Sequence, residues 1–253
     1  MDWKKYISLA ISVNLKYPYV SISKSVGGGS RWHYGVIEVI VEKERLVEAI
    51  TEAIEKAKPR NFLETVEMAV NLKNVDMRRP ENRIDAIVML PHGLGKPRKV
   101  GVFARGETAL KAKEAGADLV LGPEDIDELA KNKRQAKKLA KQMDFFIAEA
   151  PLMPEIGRKL GPILGPRGKM PQPIPPLADP KPFIERLKKS VKIRTRDKPT
   201  FHAPIGKRDM DPEKLAENAL EILKVVENKY ENASQNIKSI YVKTTMGPAV
   251  RVI

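Results

Sequence analysis

Residues 153–176 read Met-Pro-Glu-Ile-Gly-Arg-Lys-Leu-Gly-Pro-Ile-Leu-Gly-Pro-Arg-Gly-Lys-Met-Pro-Gln-Pro-Ile-Pro-Pro. Glycines alternate here with prolines, so no helix or strand is expected to run through the stretch undisturbed. The stretch is basic, with four cations against one acid: Arg158, Lys159, Arg167, Lys169 and Glu155. It is either a rigid connector whose charges are solvated, or a bent backbone that presents cations and amides to phosphate groups. Sequence of mixed helix and strand pattern lies on both sides of it, which favours a connector.

The composition indicates a soluble, globular protein with an anionic partner. Hydrophobic residues make up 42% and charged residues 31% of the 253 residues, and the formal net charge is +14. Such an excess of positive charge points first to a polyanion and second to an anionic membrane surface. The chain has no cysteine, and no apolar run approaches the roughly 20 residues that span a bilayer. We therefore expect a cytoplasmic protein without disulfides, thiolate metal sites or a membrane anchor.

Residues 1–40 differ from the rest of the chain. They hold both tryptophans, four of the six tyrosines and the Gly27-Gly28-Gly29 break, but only two acids, Asp2 and Glu38. No amphipathic period long enough to place them in a fold is found. We interpret residues 1–40 as an extension of doubtful status, upstream of the working protein.

The regions at the two ends of the remaining chain both combine amphipathic helices with strands that alternate apolar and polar residues. A helical stripe runs from Glu42 to Ala57, and residues 65–73 alternate apolar and polar positions as a half-buried strand does. After Pro176 a second helix and a strand follow, and Asp211-Pro212 opens a long amphipathic helix. The further strands predicted in these end regions are Arg83–Leu90, Val191–Arg196, Phe201–Ile205 and Ser239–Thr245.

The middle region alternates short apolar strands with helices, which indicates a small parallel sheet covered on both faces. Its predicted strands are Val100–Phe103, Asp118–Leu121 and Phe145–Ala148, and its predicted helices are Glu107–Ala115 and one long helix, Pro123–Met143. The predicted fold is therefore α/β with two domains. A terminal α+β domain comes from both chain ends, residues 41–94 plus 177–253, and residues 95–176 form an inserted Rossmann-like, three-layer α/β domain.

Catalytic signatures are weak. Gly93-Leu-Gly-Lys96 is similar to the end of a phosphate-binding loop, but Pro97 replaces the Ser or Thr that holds magnesium. The three histidines lie far apart without metal-ligand spacing. We predict no enzyme activity, no cofactor and no metal site. The alternative is an enzyme that binds a nucleotide on the inserted domain, and a nucleotide-binding assay separates the two.

Binding surfaces are better supported. The segment Lys131–Lys141 is almost free of acids, and its charges are either solvated or in contact with phosphates. Lys192, Arg194 and Arg196 share one face of a predicted strand, with the same two interpretations. Thr245-Met-Gly-Pro248 ends the last long strand with a hydroxyl, an apolar side chain and a residue without Cβ. Such a group suits close approach to ribose, although an ordinary strand-ending turn has the same pattern.

The chain resembles the large-subunit ribosomal protein L-one family, in its archaeal type. The motifs that carry the resemblance occur in order from about residue 42 to the C-terminus: Lys58-Pro-Arg-Asn-Phe62, Leu90-Pro-His-Gly-Leu-Gly-Lys96, Leu164-Gly-Pro-Arg-Gly-Lys-Met-Pro171, His202-Ala-Pro-Ile-Gly-Lys207 and Tyr241-Val-Lys-Thr-Thr-Met-Gly-Pro248. The resemblance implies the same two-domain arrangement, with RNA bound mainly by the terminal domain.

The resemblance also implies function and partners. Members are structural constituents of the large ribosomal subunit that bind large-subunit rRNA at the mobile exit-site stalk. They assist release of deacylated tRNA and often repress translation of their own mRNA. Expected partners are rRNA, exit-site tRNA, its own mRNA and other ribosomal components, with no membrane, and the chain is expected to be a monomer off the ribosome. The implied RNA-binding residues are Phe62, Glu64, Ser239, Thr245, Met246 and Gly247, with Lys58, Arg60, Arg167, Lys169, Lys192, Arg194 and Arg196 as secondary candidates.

Overall fold

The computed structural model describes residues 41–176, 178–230 and 233–253. The interpretation of residues 1–40 as an extension lies outside the described residues. The described chain is mixed α/β, with a four-stranded antiparallel sheet, a two-stranded antiparallel sheet and a four-stranded parallel sheet, and with helices packed against them. The predicted fold class is confirmed.

The strands and helices alternate along the chain much as the patterns predict. In chain order the strands are β1 (Thr65–Leu72), β2 (Asp85–Met89), β3 (Val100–Phe103), β4 (Leu119–Leu121), β5 (Phe145–Glu149), β6 (Gln172–Ile174), β7 (Ser190–Arg194), β8 (Thr200–Lys207), β9 (Ile237–Thr244) and β10 (Val250–Arg251). The helices are α1 (Lys43–Glu55), α2 (Gly106–Glu114), α3 (Pro123–Lys131), α4 (Lys133–Gln142), α5 (Met153–Lys159), α6 (Gly161–Leu164), α7 (Lys181–Lys188), α8 (Pro212–Lys229) and α9 (Ala233–Asn236).

The antiparallel sheet has the order β10-β9-β1-β8. Because side chains alternate along a strand, β1 turns Val66, Met68, Val70 and Leu72 to one face, and all four are buried. The apolar stripes of α1 and α8 share that core. The other face of β1 carries polar and small side chains that are half buried. Described segments from before and after the middle region therefore share one sheet and one core, with a polar sheet face left over.

The parallel sheet has the order β4-β3-β5-β6 and a core on each face. On β5, Phe145 and Ile147 point into one core while Phe146 and Ala148 point into the other. Helices α3 to α6 cover the side with Phe146, and α2 and α7 cover the side with Ile147. This is the three-layer arrangement that the alternating pattern predicted. A separate antiparallel pair, β2 with β7, lies between the two bodies in sequence.

The long helix predicted from Pro123 to Met143 is wrong in one respect, because it is two helices. Asn132 leaves the helical region, with φ −104° and ψ 78°, and ends α3. Its side chain then accepts a hydrogen bond from the backbone N–H of Gln135 at 3.2 Å and so caps α4. Asparagine favours such local bonds to the backbone over continued helix. The break lets α4 take its own direction over the sheet.

The stretch 153–176 is more ordered than its glycines and prolines suggest. It forms α5, α6 and the fourth parallel strand β6, and it buries Ile156, Leu160, Ile163 and Leu164 in the core of the parallel sheet. Pro154 and Pro162 fall where helices tolerate proline, in the first turn of α5 and of α6. The stretch is therefore part of the inserted body rather than only a connector.

Helix α7 bears on the predicted domain boundary at residues 176 and 177. Its buried side chains, Ile184 and Leu187, pack into the core beneath the parallel sheet. The segment that leaves the inserted domain lies beside the segment that enters it. Here the Leu90 N–H donates to the Lys189 carbonyl at 3.1 Å, and the Arg98 N–H donates to the Lys188 carbonyl at 3.1 Å. We therefore propose that the inserted domain extends to about residue 189, and the first boundary near residue 94 stays a prediction.

Candidate nucleic-acid interface

The end of β9 and the start of β1 lie side by side, because the two strands pair antiparallel with Val66 opposite Thr244. Residues that lead into β1 therefore meet residues that leave β9, although 180 positions separate Thr65 from Thr245. We call this surface, residues 62–65 and 244–247, the tip. It brings together all the predicted primary site residues except Ser239: Phe62, Glu64, Thr245, Met246 and Gly247.

Glu64 is a buried residue of the tip, with only 1% of its surface exposed. One carboxylate oxygen accepts hydrogen bonds from the Met246 N–H at 3.0 Å and from the Thr244 hydroxyl at 3.3 Å. The other oxygen faces the Arg208 guanidinium at 3.1 Å. The sequence resemblance placed Glu64 against RNA. In this structure both oxygens of the Glu64 carboxylate instead bond to groups of the chain itself, and these bonds hold the backbone of Met246 in place.

Arg208 is a site residue that the sequence analysis missed. Besides Glu64, its guanidinium donates to the backbone carbonyls of Ile54 at 3.1 Å and Ala57 at 3.0 Å, which lie at and just beyond the C-terminal end of α1. A cation at that end also complements the negative pole of the helix. Its partner Glu64 lies 144 positions away in sequence, so no local pattern marks this arginine.

Two large apolar side chains are exposed on the tip, Phe62 at 54% and Met246 at 61%. The alternative in which Phe62 packs under the following strand therefore does not apply. Leu63, which was not predicted, is also half exposed at 50%. Most apolar side chains of this size are buried in a folded domain, so a cluster that is held open beside a buried anchor points to a binding surface.

Thr245 and Gly247 shape the tip. The Thr245 hydroxyl accepts from the Thr65 N–H at 3.0 Å and lies 3.2 Å from the Thr65 carbonyl oxygen, which extends the pairing of the two strands by one side chain. At Gly247 an added Cβ would lie 2.3 Å from the Thr244 hydroxyl and 3.2 Å from the Ala57 methyl. Only glycine allows the chain to turn this closely over Thr244.

Ser239 lies away from the tip, near the opposite end of β9, and is buried. Its hydroxyl accepts from the Asn71 side-chain amide at 2.8 Å, and the Asn71 carbonyl oxygen accepts from the Thr200 hydroxyl at 3.0 Å. These three residues are register partners on adjacent strands and form a polar row across the sheet. This row lies on the polar face of the antiparallel sheet. Ser239 is therefore not part of the tip, and what it shares with the tip is strand β9.

Lys58 and Arg60 are exposed on the segment that leads into the tip. They stand a few residues before Phe62, between the end of α1 and the start of β1. The structure therefore places two of the secondary cations next to the exposed apolar pair. A cation beside an apolar contact is the combination that RNA-binding surfaces use for phosphates and bases together.

The remaining secondary candidates lie in a different place. A groove of about 330 Å³, which we call the cleft, separates the 166–169 loop from β7. Lys192 bridges it, because its ammonium donates to the Gly168 carbonyl at 2.8 Å and pairs with Asp85 at 2.9 Å. The cations along the cleft are Arg98, Arg167, Lys169, Lys192, Arg194 and Arg196.

Lys169 serves the fold rather than the surface of the cleft. Its ammonium donates to the carbonyls of Ala140 at 2.9 Å and Met143 at 2.6 Å, at the C-terminal end of α4. Burial lowers the pKa of Lys169 below its usual value. Of the two cations that the sequence singled out in this loop, Arg167 is the better placed for a ligand, although its guanidinium also donates to the Ile163 carbonyl at 3.2 Å.

Other site classes find little support in the part of the chain that is described. Across residues 41–176, 178–230 and 233–253, no group of three or more histidines and acids is arranged to hold a metal ion. Within the same residues, none of the helices is both long and apolar enough to cross a bilayer. The phosphate-loop remnant at Gly93 is a structural turn, in which Asn218 donates to the Gly93 carbonyl at 2.8 Å and accepts from the His92 N–H at 3.2 Å.

Comparison with known proteins gives long matches at high identity. A relative from Archaeoglobus fulgidus named large ribosomal subunit protein uL1 is 77% identical over 215 residues, which are 85% of this chain and 100% of the relative. Relatives of the same name come from Thermococcus kodakarensis, 57% identical over 83% of this chain and 98% of the relative, and from Methanothrix thermoacetophila, 54% identical over 83% of this chain and 100% of the relative.

The match to a family covers most of the chain. The sequence model described as the ribosomal protein L1p/L10e family matches residues 53–248, a range that includes the tip, the cleft and the parallel sheet. It confirms the resemblance found from the sequence motifs, and with it the prediction that the chain is not an enzyme. On these grounds the chain belongs to the ribosomal protein L1p/L10e family.

Proposed function

We propose that this chain is a structural constituent of the large ribosomal subunit and that it binds large-subunit rRNA, at the mobile exit-site stalk, through the tip. The names of its relatives support the ribosomal assignment. The observation that carries the tip assignment is the exposed pair Phe62 and Met246, held open above the ion pair of the buried Glu64 with the partly exposed Arg208. A rigid apolar contact beside exposed cations fits folded RNA better than it fits a small molecule or a membrane.

The proposed contact has a cationic and a shape-dependent part. Lys58, Arg60 and the net charge of +14 attract the phosphate backbone, and each neutralised phosphate adds about 0.7 to 0.9 to the salt slope. Phe62 offers a ring on which an unpaired base can stack. Met246 and Gly247 let a ribose edge approach closely. Glu64 acts by position, because its buried carboxylate sets the backbone of the loop rather than touching RNA.

The same proposal covers the remaining partners. We infer that the chain assists release of deacylated tRNA from the exit site and represses translation of its own mRNA, with Arg167, Lys192, Arg194 and Arg196 of the cleft as secondary RNA contacts. Other ribosomal components are neighbours in the assembled subunit, which places the chain in the cytoplasm. Off the ribosome we propose a monomer.

The experiment uses the full chain and a fragment of large-subunit rRNA from the stalk. We expect Met246→Asp to weaken binding by about tenfold or more, because it sets a carboxylate against phosphates at a place where an apolar group made contact. Met89→Asp is the matched control, since Met89 is 51% exposed on β2, which belongs to a different sheet from the strands of the tip. The melting temperatures of both variants should stay close to that of the parent. Equal affinity for Met246→Asp and Met89→Asp would contradict the proposal.

Thr245→Val tests the hydroxyl at nearly constant volume. We expect a loss of about threefold to tenfold in affinity for the same rRNA fragment, because the hydroxyl that joins the tip segments and, in this proposal, faces the ribose is gone. Thr51→Val is its control, since the Thr51 hydroxyl bonds only within α1, to the Val47 carbonyl. An unchanged affinity for Thr245→Val would remove the hydroxyl from the proposed contact.

A further inference from the structure

Helix α4 carries an exposed stripe of cations that the tip and the cleft do not use. We call its members the basic face: Lys133, Arg134, Lys137, Lys138 and Lys141. The opposite side of the helix, Ala136 and Ala140, is buried in the core of the parallel sheet, so the basic face must point to solvent. Within the described part of the chain, these five side chains make no ion pair or hydrogen bond.

The placement of these cations opposes the stability of the helix. The pairs Lys133–Lys137, Arg134–Lys138 and Lys137–Lys141 are each four residues apart, where like charges repel across one helical turn. Lys133 and Arg134 also occupy the first turn, where the helix dipole favours acids, and α4 has no acid in that turn. Of the four acids on the preceding helix, Asp127 is paired with Lys159 and Asp125 caps its own helix. The other two, Glu124 and Glu128, form no ion pair with the basic face among the described residues. The charges are therefore unbalanced inside the molecule.

The chemistry of the exposed side favours an RNA duplex as the opposing polyanion. Every exposed side chain of α4 is Lys, Arg or Gln, whereas a protein interface needs an apolar centre and a membrane-surface helix needs large apolar residues. Binding of single strands relies on aromatic side chains that stack on bases, and α4 has none. What remains is contact with the phosphate ridges of helical RNA, which requires cations along a line. Lys133, Lys137 and Lys141 form such a line, about 12 Å long.

We propose that the basic face of α4 is a further RNA-binding surface, separate from the tip and the cleft, which holds the sugar–phosphate backbone of an RNA duplex without reading its sequence. This proposal rests on the proposed function in taking RNA as the partner. It goes beyond the proposed function in giving the inserted domain an RNA contact on α4, apart from Arg167 of the cleft. The chain would then hold two RNA segments at once, one at the tip by shape and one at α4 by charge.

The test measures binding of the full chain to a labelled RNA duplex of about 20 base pairs with no ribosomal sequence, across a salt titration. The variant is Arg134→Gln/Lys137→Gln/Lys141→Gln, since glutamine keeps the helix propensity. The matched control, Lys113→Gln/Lys214→Gln/Lys229→Gln, removes the same charge from exposed lysines on α2 and α8.

We expect the α4 variant to lose about tenfold in duplex affinity at physiological salt and to lower the salt slope by about 2 to 3, as for three lost phosphate contacts. The control should change affinity by less than about twofold. The α4 variant should bind the stalk rRNA fragment only modestly more weakly. Met246→Asp should leave duplex binding unchanged.

Three outcomes would overturn the inference. Equal losses in the α4 variant and its control would mean that only net charge matters and that the basic face is solvated. Loss of duplex binding in Met246→Asp would place the duplex at the tip. Competition by poly-glutamate as effective as unlabelled duplex, at equal charge, would show a preference for acidic protein. The rRNA result for Met246→Asp judges the proposed function separately.

Discussion

The tip and the basic face of α4 are both RNA-binding surfaces in our proposals, yet they are built in opposite ways. The tip joins segments that are 180 positions apart and fixes them with a buried carboxylate, a guanidinium and a glycine. The basic face lies within one helix of ten residues and has no tertiary partner among the described residues. Shape recognition needs fixed geometry, whereas attraction of a backbone needs only charge along a line.

Because the two surfaces are built differently, substitutions at the tip and on α4 should change stability and RNA affinity in different ways. At the tip, the groups that position the RNA contact also hold the fold together, so stability and binding should change together when the anchor is altered. On α4 the binding groups add repulsion to the fold, so binding and stability should change in opposite directions. Substitutions at the two surfaces can therefore separate a positioning role from a purely electrostatic one.

Arg208→Met is expected to have the largest effect. It leaves the Glu64 carboxylate buried without its cation and leaves the Ile54 and Ala57 carbonyls without their donor. Breaking a buried pair in this way costs about 3 to 5 kcal/mol in the free energy of unfolding. Urea unfolding measures this loss, and the affinity for the stalk rRNA fragment should fall with it.

Arg158→Met is the control for Arg208→Met. Arg158 is exposed on α5 and forms no ion pair within the described residues. Its replacement should change the free energy of unfolding by no more than about 0.5 kcal/mol. If Arg208→Met proved as mild as Arg158→Met, the pair beneath the tip would not be the anchor that the structure indicates.

Gly247→Ala should have the next largest effect. The new methyl would lie 2.3 Å from the Thr244 hydroxyl, which is buried and bonded to Glu64. Moving Thr244 aside is expected to cost about 1 to 3 kcal/mol, as overpacking does, and to weaken rRNA binding. Gly157→Ala on α5 is the matched control, because its methyl would meet nothing within 4 Å. That substitution should raise the free energy of unfolding by about 0.5 to 1 kcal/mol, and a loss as large as that of Gly247→Ala would contradict the steric account.

Periodic burial could be predicted from sequence, and contacts between distant residues could not. The alternation in residues 65–72 gave the buried face of β1, Val66 to Leu72, because period two belongs to the strand itself. The inward stripe of α8, from Leu215 to Val226, followed in the same way from period 3.6. Thr245, Met246 and Gly247 were indicated by the pattern that ends the last long strand as well as by the family resemblance. Phe62 came from the resemblance alone. Neither source indicated Arg208, whose partners are spread over α1 and the start of β1.

The sequence patterns misled at two places, in each of which a hydrogen bond to the backbone overrides what the local pattern predicts. The charge and helix propensity of residues 123–143 favoured one helix, and the bond from Gln135 to the Asn132 side chain divided it. The sequence makes Lys169 a secondary RNA-binding candidate, but its ammonium donates to backbone carbonyls at the end of α4 and caps that helix. In both cases the decisive partner is a backbone group, which has no signature in the sequence.

Lys137→Ala should have the smallest effect, with the opposite sign to the changes at the tip. Lys137 lies one turn from both Lys133 and Lys141, so its removal relieves two repulsive pairs and introduces the best helix former. The free energy of unfolding should rise by about 0.5 kcal/mol at low salt, and the gain should shrink as salt screens the charges. Lys113→Ala on α2 is the control, because Lys113 has no other lysine four residues away on its helix. Unfolding curves at two salt concentrations measure both variants. A stability loss in Lys137→Ala alone would mean that the basic face supports the fold, and the contrast between the two surfaces would fail.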